Sequence, residues 1–147
     1  MEGESYRKTR NLIKNEKQLK KVTQRLTHIR HEYIQYITSE VISRKPRLIA
    51  IEDLNVKGMM KNKHLAKHIQ DCCWGLFRQL IVYRANRIGI KMVFVDRFYA
   101  SSKTCSHCGY KQDMPLSKRI YRCPQGDTIM DRDLNAAINI RNYGETH

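Results

Sequence analysis

The 147-residue chain contains no apolar run approaching the ~20 residues that a membrane-spanning helix needs. Its opening stretch, MEGESYRKTR, has no apolar core of the kind a secretory signal requires. Both absences point to a cytoplasmic protein without a membrane partner. Acidic residues are scarce: 14 Asp and Glu stand against 28 Lys and Arg, for a net charge of +14. The excess is spread along the chain rather than confined to a tail, so a polyanion, nucleic acid first, is the expected partner; the plainer alternative is a solvated basic surface. Five cysteines, an odd number and partly in C-x-x-C spacing, exclude a fully paired disulfide framework and fit reduced thiols and metal. Internal repeats and low-complexity linkers are absent, and the length suits about one domain with a real core.

What is present begins with a long helix pattern over residues 5 to 44. Leu12, Leu19, Leu26 and Tyr33 recur every seven residues, interleaved with Val22, Ile29 and Tyr36. The seam fits a coiled coil, but one amphipathic helix packed on its own domain is the simpler expectation. Pro46 should end it. Leu48, Ile49, Ala50 and Ile51 then form a short apolar run, the composition of a strand buried on both faces of a parallel sheet. Glu52 follows at the carboxyl end of that strand. This is the edge where open α/β sheets place their chemistry, although Glu52 and Asp53 could simply open a polar loop. Residues 63 to 88 read as one further helix with Leu65, Ile69, Leu80, Ala85 and Ile88 apolar, and Cys72 and Cys73 are expected as buried small hydrophobes rather than ligands. IGIKMVFVD supplies a second strand ending at Asp96. An α-β-α-β order of this kind implies parallel strands joined by a crossover.

CSHCG places Cys105 and Cys108 on a tight turn from which both thiolates can reach one ion, and Cys123 follows in YRCP. A second C-x-x-C would close a tetrahedron of four thiolates. Gly126 occupies that position instead, with His107 and Asp127 as alternative fourth ligands, both poorly spaced for the role. Four-thiolate zinc contributes on the order of 10 kcal/mol to a small module, so a three-thiolate site should leave this lobe labile. Finally, MDRDLNAAINIRNYG reads as a helix start, with Asp131 or Asp133 as the cap. Capping explains one aspartate, not two together.

Four ordered stretches, IAIEDLNVKGM, VDRFYASSKTCSHCG, YRCP and DRDLNAAINI, resemble the C-terminal half of the OrfB/TnpB family of insertion-sequence proteins, relatives of type V CRISPR effectors. The resemblance covers nearly the whole chain. It implies an α/β fold: a partial ribonuclease H-like (RuvC-type) nuclease domain, residues 1–99 plus 129–147, with a long N-terminal helix and an inserted zinc-ribbon-like hairpin, residues 100–128. It further implies Mg2+-dependent DNA cleavage in transposition, guided by RNA from the transposon end. The second catalytic carboxylate maps onto Glu52 and the third onto Asp133, with Asp131 beside it. Zn2+ maps onto Cys105, Cys108 and Cys123. Basic residues expected on nucleic acid are Lys57, Arg78, Arg84, Arg87, Lys103 and Arg132.

Three carboxylates are needed because two magnesium ions ~4 Å apart activate the attacking water and stabilise the leaving oxygen, and hard oxygens are what Mg2+ selects. The family's first aspartate lies on a strand ahead of the long helix, and MEGESYRKTR offers no counterpart. The chain is therefore expected to be inactive alone unless an upstream polypeptide supplies that strand, and marginally folded with only two core strands. Two other readings compete: a catalytically dead DNA- or RNA-binding protein using its basic surface, and an assembly module dimerising through the Leu12 to Tyr36 seam.

Overall fold

Thr9 starts α1 (Arg10–Ser43), its hydroxyl accepting the backbone N–H of Leu12 at 3.3 Å, which satisfies one of the free amides at a helix N-terminus. The computed structural model describes residues 8–64, 66–115 and 117–147, so the expected helix start near residue 5 and the apolar role of Leu65 lie outside the described residues. Lys45 takes a left-handed φ of 47° immediately before Pro46, and the helix ends where the proline predicts.

β1 (Leu48–Glu52), α2 (Val56–Met59), α3 (Ala66–Asp71), α4 (Trp74–Arg87) and β2 (Lys91–Val95) follow. The single helix expected over 63 to 88 is in fact interrupted, because Cys73 stands in the left-handed region at φ 51° between α3 and α4. The expected burial of both cysteines fails with it: Cys72 is exposed and Cys73 half-buried.

β1 and β2 pair in parallel, Leu48 with Lys91 through to Glu52 with Val95. Helices cover both faces. A Cβ placed on Gly144 of α5 (Arg132–Thr146) would stand 2.8 Å from the Ala50 Cβ, so Ala50 faces α5. Phe94, in register with Ile51, lies beneath the Arg78 guanidinium of α4 at 4.6 Å. Strand side chains alternate between faces, which puts Leu48, Ala50 and Glu52 on the α5 side and Ile51 on the α4 side. α1 packs behind α4. Ile34 and Thr38 of α1 are buried, as are Ile69, Ile81, Ala85, Ile90 and Val95, and Arg84 ties α1 to α4 by donating to Gln35 O and Thr38 Oγ1, both at 2.7 Å.

Two expectations need correction. β1 is half-buried throughout rather than fully buried, because among the described residues only β2 pairs with it. α1 does not pack along its length: its seam residues from Leu12 to Tyr36 are 46–67% exposed. No helix among the described residues is long and apolar enough to cross a membrane.

β3 (Ile120–Arg122) and β4 (Ile129–Asp131) form a separate antiparallel hairpin. It has its own small core of Cys105, Met114, Tyr121 and Cys123, against which Tyr110 packs. The fully buried Tyr121 shares its hydroxyl proton between Lys103 O and Tyr110 O, at 3.3 and 3.2 Å. β4 runs directly into α5, so the hairpin continues past residue 128 to the helix itself.

Candidate functional site

Glu52 closes β1, and its Oε1 accepts a hydrogen bond from Ser101 Oγ at 2.8 Å. It lines a cavity of about 650 Å3 together with Trp74 and Phe77 of α4 and Ala137 and Ile140 of α5. No β2 residue lines this space. The cavity therefore lies along the edge of β1 that β2 leaves open, walled by both helical layers. Because Gly144 sits beside Leu48 and Ala50 while Ala137 shares the cavity with Glu52, α5 runs antiparallel to β1. Its N-terminus points to the carboxyl end of the sheet. Asp133, one turn ahead of Ala137, is thereby on the same helix face and at the same end of the sheet as Glu52.

The two aspartates of DRD have different surroundings. Asp131 is the cap of α5: its Oδ1 accepts the N–H groups of Asp133 and Leu134 at 2.8 and 3.0 Å. Asp133 is largely exposed and pairs with Arg132 at 3.2 Å and Arg119 at 3.9 Å. Among the described residues neither Glu52 nor Asp133 belongs to a cluster of three or more acidic, histidine or cysteine side chains. Asp53 is not available to them: Arg78 at 2.5 Å and Arg97 at 3.0 Å clamp it, and these bonds hold its carboxyl below the ordinary value of 3.8.

The sequence reading missed Ser101, Asn135 and Asn139, all of them buried. Asn139 Nδ2 donates to Ser101 O and Thr104 O at 2.8 and 2.7 Å. Asn135 Nδ2 donates to Thr104 O at 2.7 Å, while its Oδ1 accepts Ser106 N–H at 2.9 Å. The available signal was the pair of amides four apart in LNAAINI, polar side chains on one face of an otherwise small and apolar helix.

The sulfur atoms of Cys105, Cys108 and Cys123 all lie within 4.8 Å of one another, with Cys108 and Cys123 at 3.5 Å. Gly109, at φ 75°, supplies the turn, its N–H reaching Cys105 O at 2.9 Å. Burial raises the Cys105 thiol, but the N–H groups of Cys108 and His107 and the neighbouring thiols outweigh it and bring the group down to about 7. Burial and the adjacent sulfurs push Cys123 up. Three converging thiols, one of them readily ionised, are a donor set for a thiophilic ion such as Zn2+. His107 and Asp127 stand outside the cluster. A Cβ on Gly126 would meet nothing within 4 Å.

Most of the expected nucleic-acid contacts have partners inside the protein. Arg84 binds α1, Arg78 binds Asp53, Lys103 pairs with Asp113 at 2.8 Å, and Arg132 with Asp133. Arg87 lies over the Tyr83 ring at 5.8 Å, and Lys57 lines the cavity beside Glu52.

Residues 74–140 match the family described as Cas12f1-like, TNB domain. A candidate RNA-guided DNA endonuclease of Streptomyces pristinaespiralis is 34% identical over 131 residues, 88% of this chain and 32% of that protein. TnpB-like protein L79 of Acanthamoeba polyphaga mimivirus is 30% identical over 132 residues, 86% of this chain and 25% of its own length. The fold resembles a chain in the cryo-EM structure of the Cas12f1–sgRNA–target DNA complex, with a TM-score of 0.61 at 21% identity, over 84% of this chain and 35% of that one. The chain thus spans about a third or less of the length of these relatives. By these matches and by the motifs that build Glu52, the thiol cluster and the start of α5, the chain is a member of the TnpB family.

Proposed function

We propose that this chain forms part of a RuvC-type, ribonuclease H-like nuclease that acts on DNA under RNA guidance, in the cytoplasm and in the service of a mobile element. Glu52 and Asp133 are its second and third carboxylates, and Asp131 holds the helix that presents Asp133. The observation carrying this reading is their common placement: one at the end of β1, the other a turn ahead of Ala137, on one face of the sheet at its carboxyl edge. Residues 1–99 with 129–147 make up the nuclease unit and 100–128 the core of the ribbon, whose three thiols hold zinc.

Mg2+ suits this donor set, because it binds one or two carboxylates, keeps several waters and takes its remaining ligands from substrate phosphate. Glu52 and Asp133 are the residues that would hold it, and the ion supplies activation of water and stabilisation of the leaving oxygen. The open edge of β1, with its apolar cavity of about 650 Å3, suits a further strand bearing the first aspartate, contributed by an upstream segment. Lys57, Arg78, Arg87, Lys103 and Arg132 contact phosphates, while Arg84 keeps α1 against α4.

Cleavage of labelled single- and double-stranded DNA with Mg2+, by the chain alone and mixed with a family segment bearing the aspartate strand, tests the proposal. Cutting only in the mixture, abolished by Glu52→Ala or Asp133→Ala, is the expected result. DNA binding without cleavage in either case would instead make this a catalytically silent nucleic-acid-binding protein.

A further inference from the structure

The thiol cluster and Glu52 belong to different parts of the fold, yet one chain of hydrogen bonds joins them. Ser106, next to Cys105, donates its N–H to Asn135; Asn135 and Asn139 both donate to Thr104 O; Asn139 also donates to Ser101 O; and Ser101 Oγ donates to Glu52 Oε1. Every link measures 2.7 to 2.9 Å. Asn135 and Asn139 are 0% and 4% exposed and Ser101 6%. Among the described residues no buried side-chain N or O atom is left without a partner, so the network is satisfied.

A buried amide is costly unless its hydrogen bonds are made. Two of them, four residues apart on α5, therefore act as pegs for segment 101–106. An apolar pair would take these partners from the Ser101 and Thr104 carbonyls and the Ser106 N–H. What the amides add is a fixed height of the segment along α5, and that height decides where the Ser101 hydroxyl meets Glu52. Thr104 strengthens the arrangement from its own side, Oγ1 donating to Ala100 O at 2.9 Å.

We infer that Asn139 and Ser101 are positioning residues that fix the Glu52 carboxylate, and that Asn135 ties this arrangement to the knuckle carrying Cys105. The consequence for catalysis rests on the reading of Glu52 given above. The positioning itself does not. Two readouts keep them apart.

In the first, the side-chain carboxyl 13C signal of Glu52 is followed in the full chain. Ser101→Ala should move it and Ser101→Thr, which keeps the hydroxyl, should leave it near its original place. Asn139→Ala should move it in the same sense as Ser101→Ala, although residue 139 makes no hydrogen bond to Glu52, and the double variant should show no more than Ser101→Ala alone. Asn139→Leu, which stays close in volume and removes the donors without introducing a charge, serves if Asn139→Ala does not fold. A Glu52 signal unmoved by either residue-139 variant, or shifts that simply add, would overturn the inference.

In the second, DNA cleavage by the completed nuclease should lose about 10- to 100-fold in kcat in Asn139→Leu, with KM for DNA unchanged, the size expected for removing a group that orients a metal-binding carboxylate. Unchanged kcat in that variant overturns the catalytic consequence. A coupled Glu52 signal in a protein that never cleaves would leave the positioning intact and refute the nuclease reading.

Discussion

Gly144 and Ala50 touch where α5 crosses β1: a Cβ on residue 144 would come within 2.8 Å of the Ala50 Cβ and 3.3 Å of Leu48 Cδ1. The close approach sets the height of α5 over the sheet, and thereby the placement of Asp133 relative to Glu52. Gly144→Ala should destabilise the chain by about 1–3 kcal/mol, the usual consequence of overfilling a packed contact. The check is the midpoint of urea unfolding, which should fall with little change in slope. Since alanine is otherwise the better helix former, an unchanged or higher midpoint would show that α5 shifts freely at this contact.

Gly126→Cys should restore a second C-x-x-C. The added side chain has open space and follows Cys123, which already lies with Cys105 and Cys108 within 4.8 Å. Zinc content after dialysis against a weak chelator should rise toward one per chain, and the hairpin should resist protease longer. A fourth thiolate closes the tetrahedron that three leave open. Equal zinc retention in both proteins would mean that position 126 is not the missing corner.

The strands, their parallel pairing and the carboxyl-end position of Glu52 were legible because each rests on a local pattern: an apolar run, a polar residue after it, and short connections. The gathering of three thiols was legible from the turn in CSHCG. The break at Cys73 was not, since nothing in the sequence marks residue 73 for a left-handed backbone. Nor was the bareness of α1: a seven-residue apolar repeat states that a face seeks a partner, not whether one is in reach. Ser101, Asn135 and Asn139 escaped for a third reason. Their bonds span 29 to 49 residues of sequence, and no local signal reports such a distance.

Arg84 offers a case where charge and structure point different ways. Its guanidinium donates to Gln35 O and to the buried Thr38 hydroxyl, at 2.7 Å each, and also reaches the Gln35 side chain. Arg84→Ala should cost about 1.5–3 kcal/mol, the range for hydrogen bonds made by a charged donor. It should leave the salt dependence of DNA binding by the folded fraction unaltered, because that slope counts phosphates neutralised. A shallower slope with unchanged stability would place Arg84 on the nucleic acid rather than on α1.

Asp53, gripped by Arg78 and Arg97, makes the acid side of the stability curve informative. Its carboxyl titrates below the ordinary 3.8 because the two guanidinium groups hydrogen-bond its charged form, against a small opposing effect of burial. A folded value below the unfolded one means that the unfolded chain binds the proton more readily. The stabilisation is therefore complete above the unfolded value and disappears as pH falls through the folded one. Asp53→Asn should be less stable than the parent at neutral pH, by an amount that stays level down to about pH 5 and shrinks below about pH 4. Because all three side chains are partly exposed, the difference should also shrink in 1 M salt, where screening acts over about 3 Å. Urea unfolding of both proteins from pH 7 to pH 2.5, at low and high salt, makes the measurement. A difference that does not shrink at all between pH 5 and pH 2.5 would have to come from packing or from the neutral hydrogen bonds, and the ion-pair clamp would then contribute nothing to holding β1 against α4.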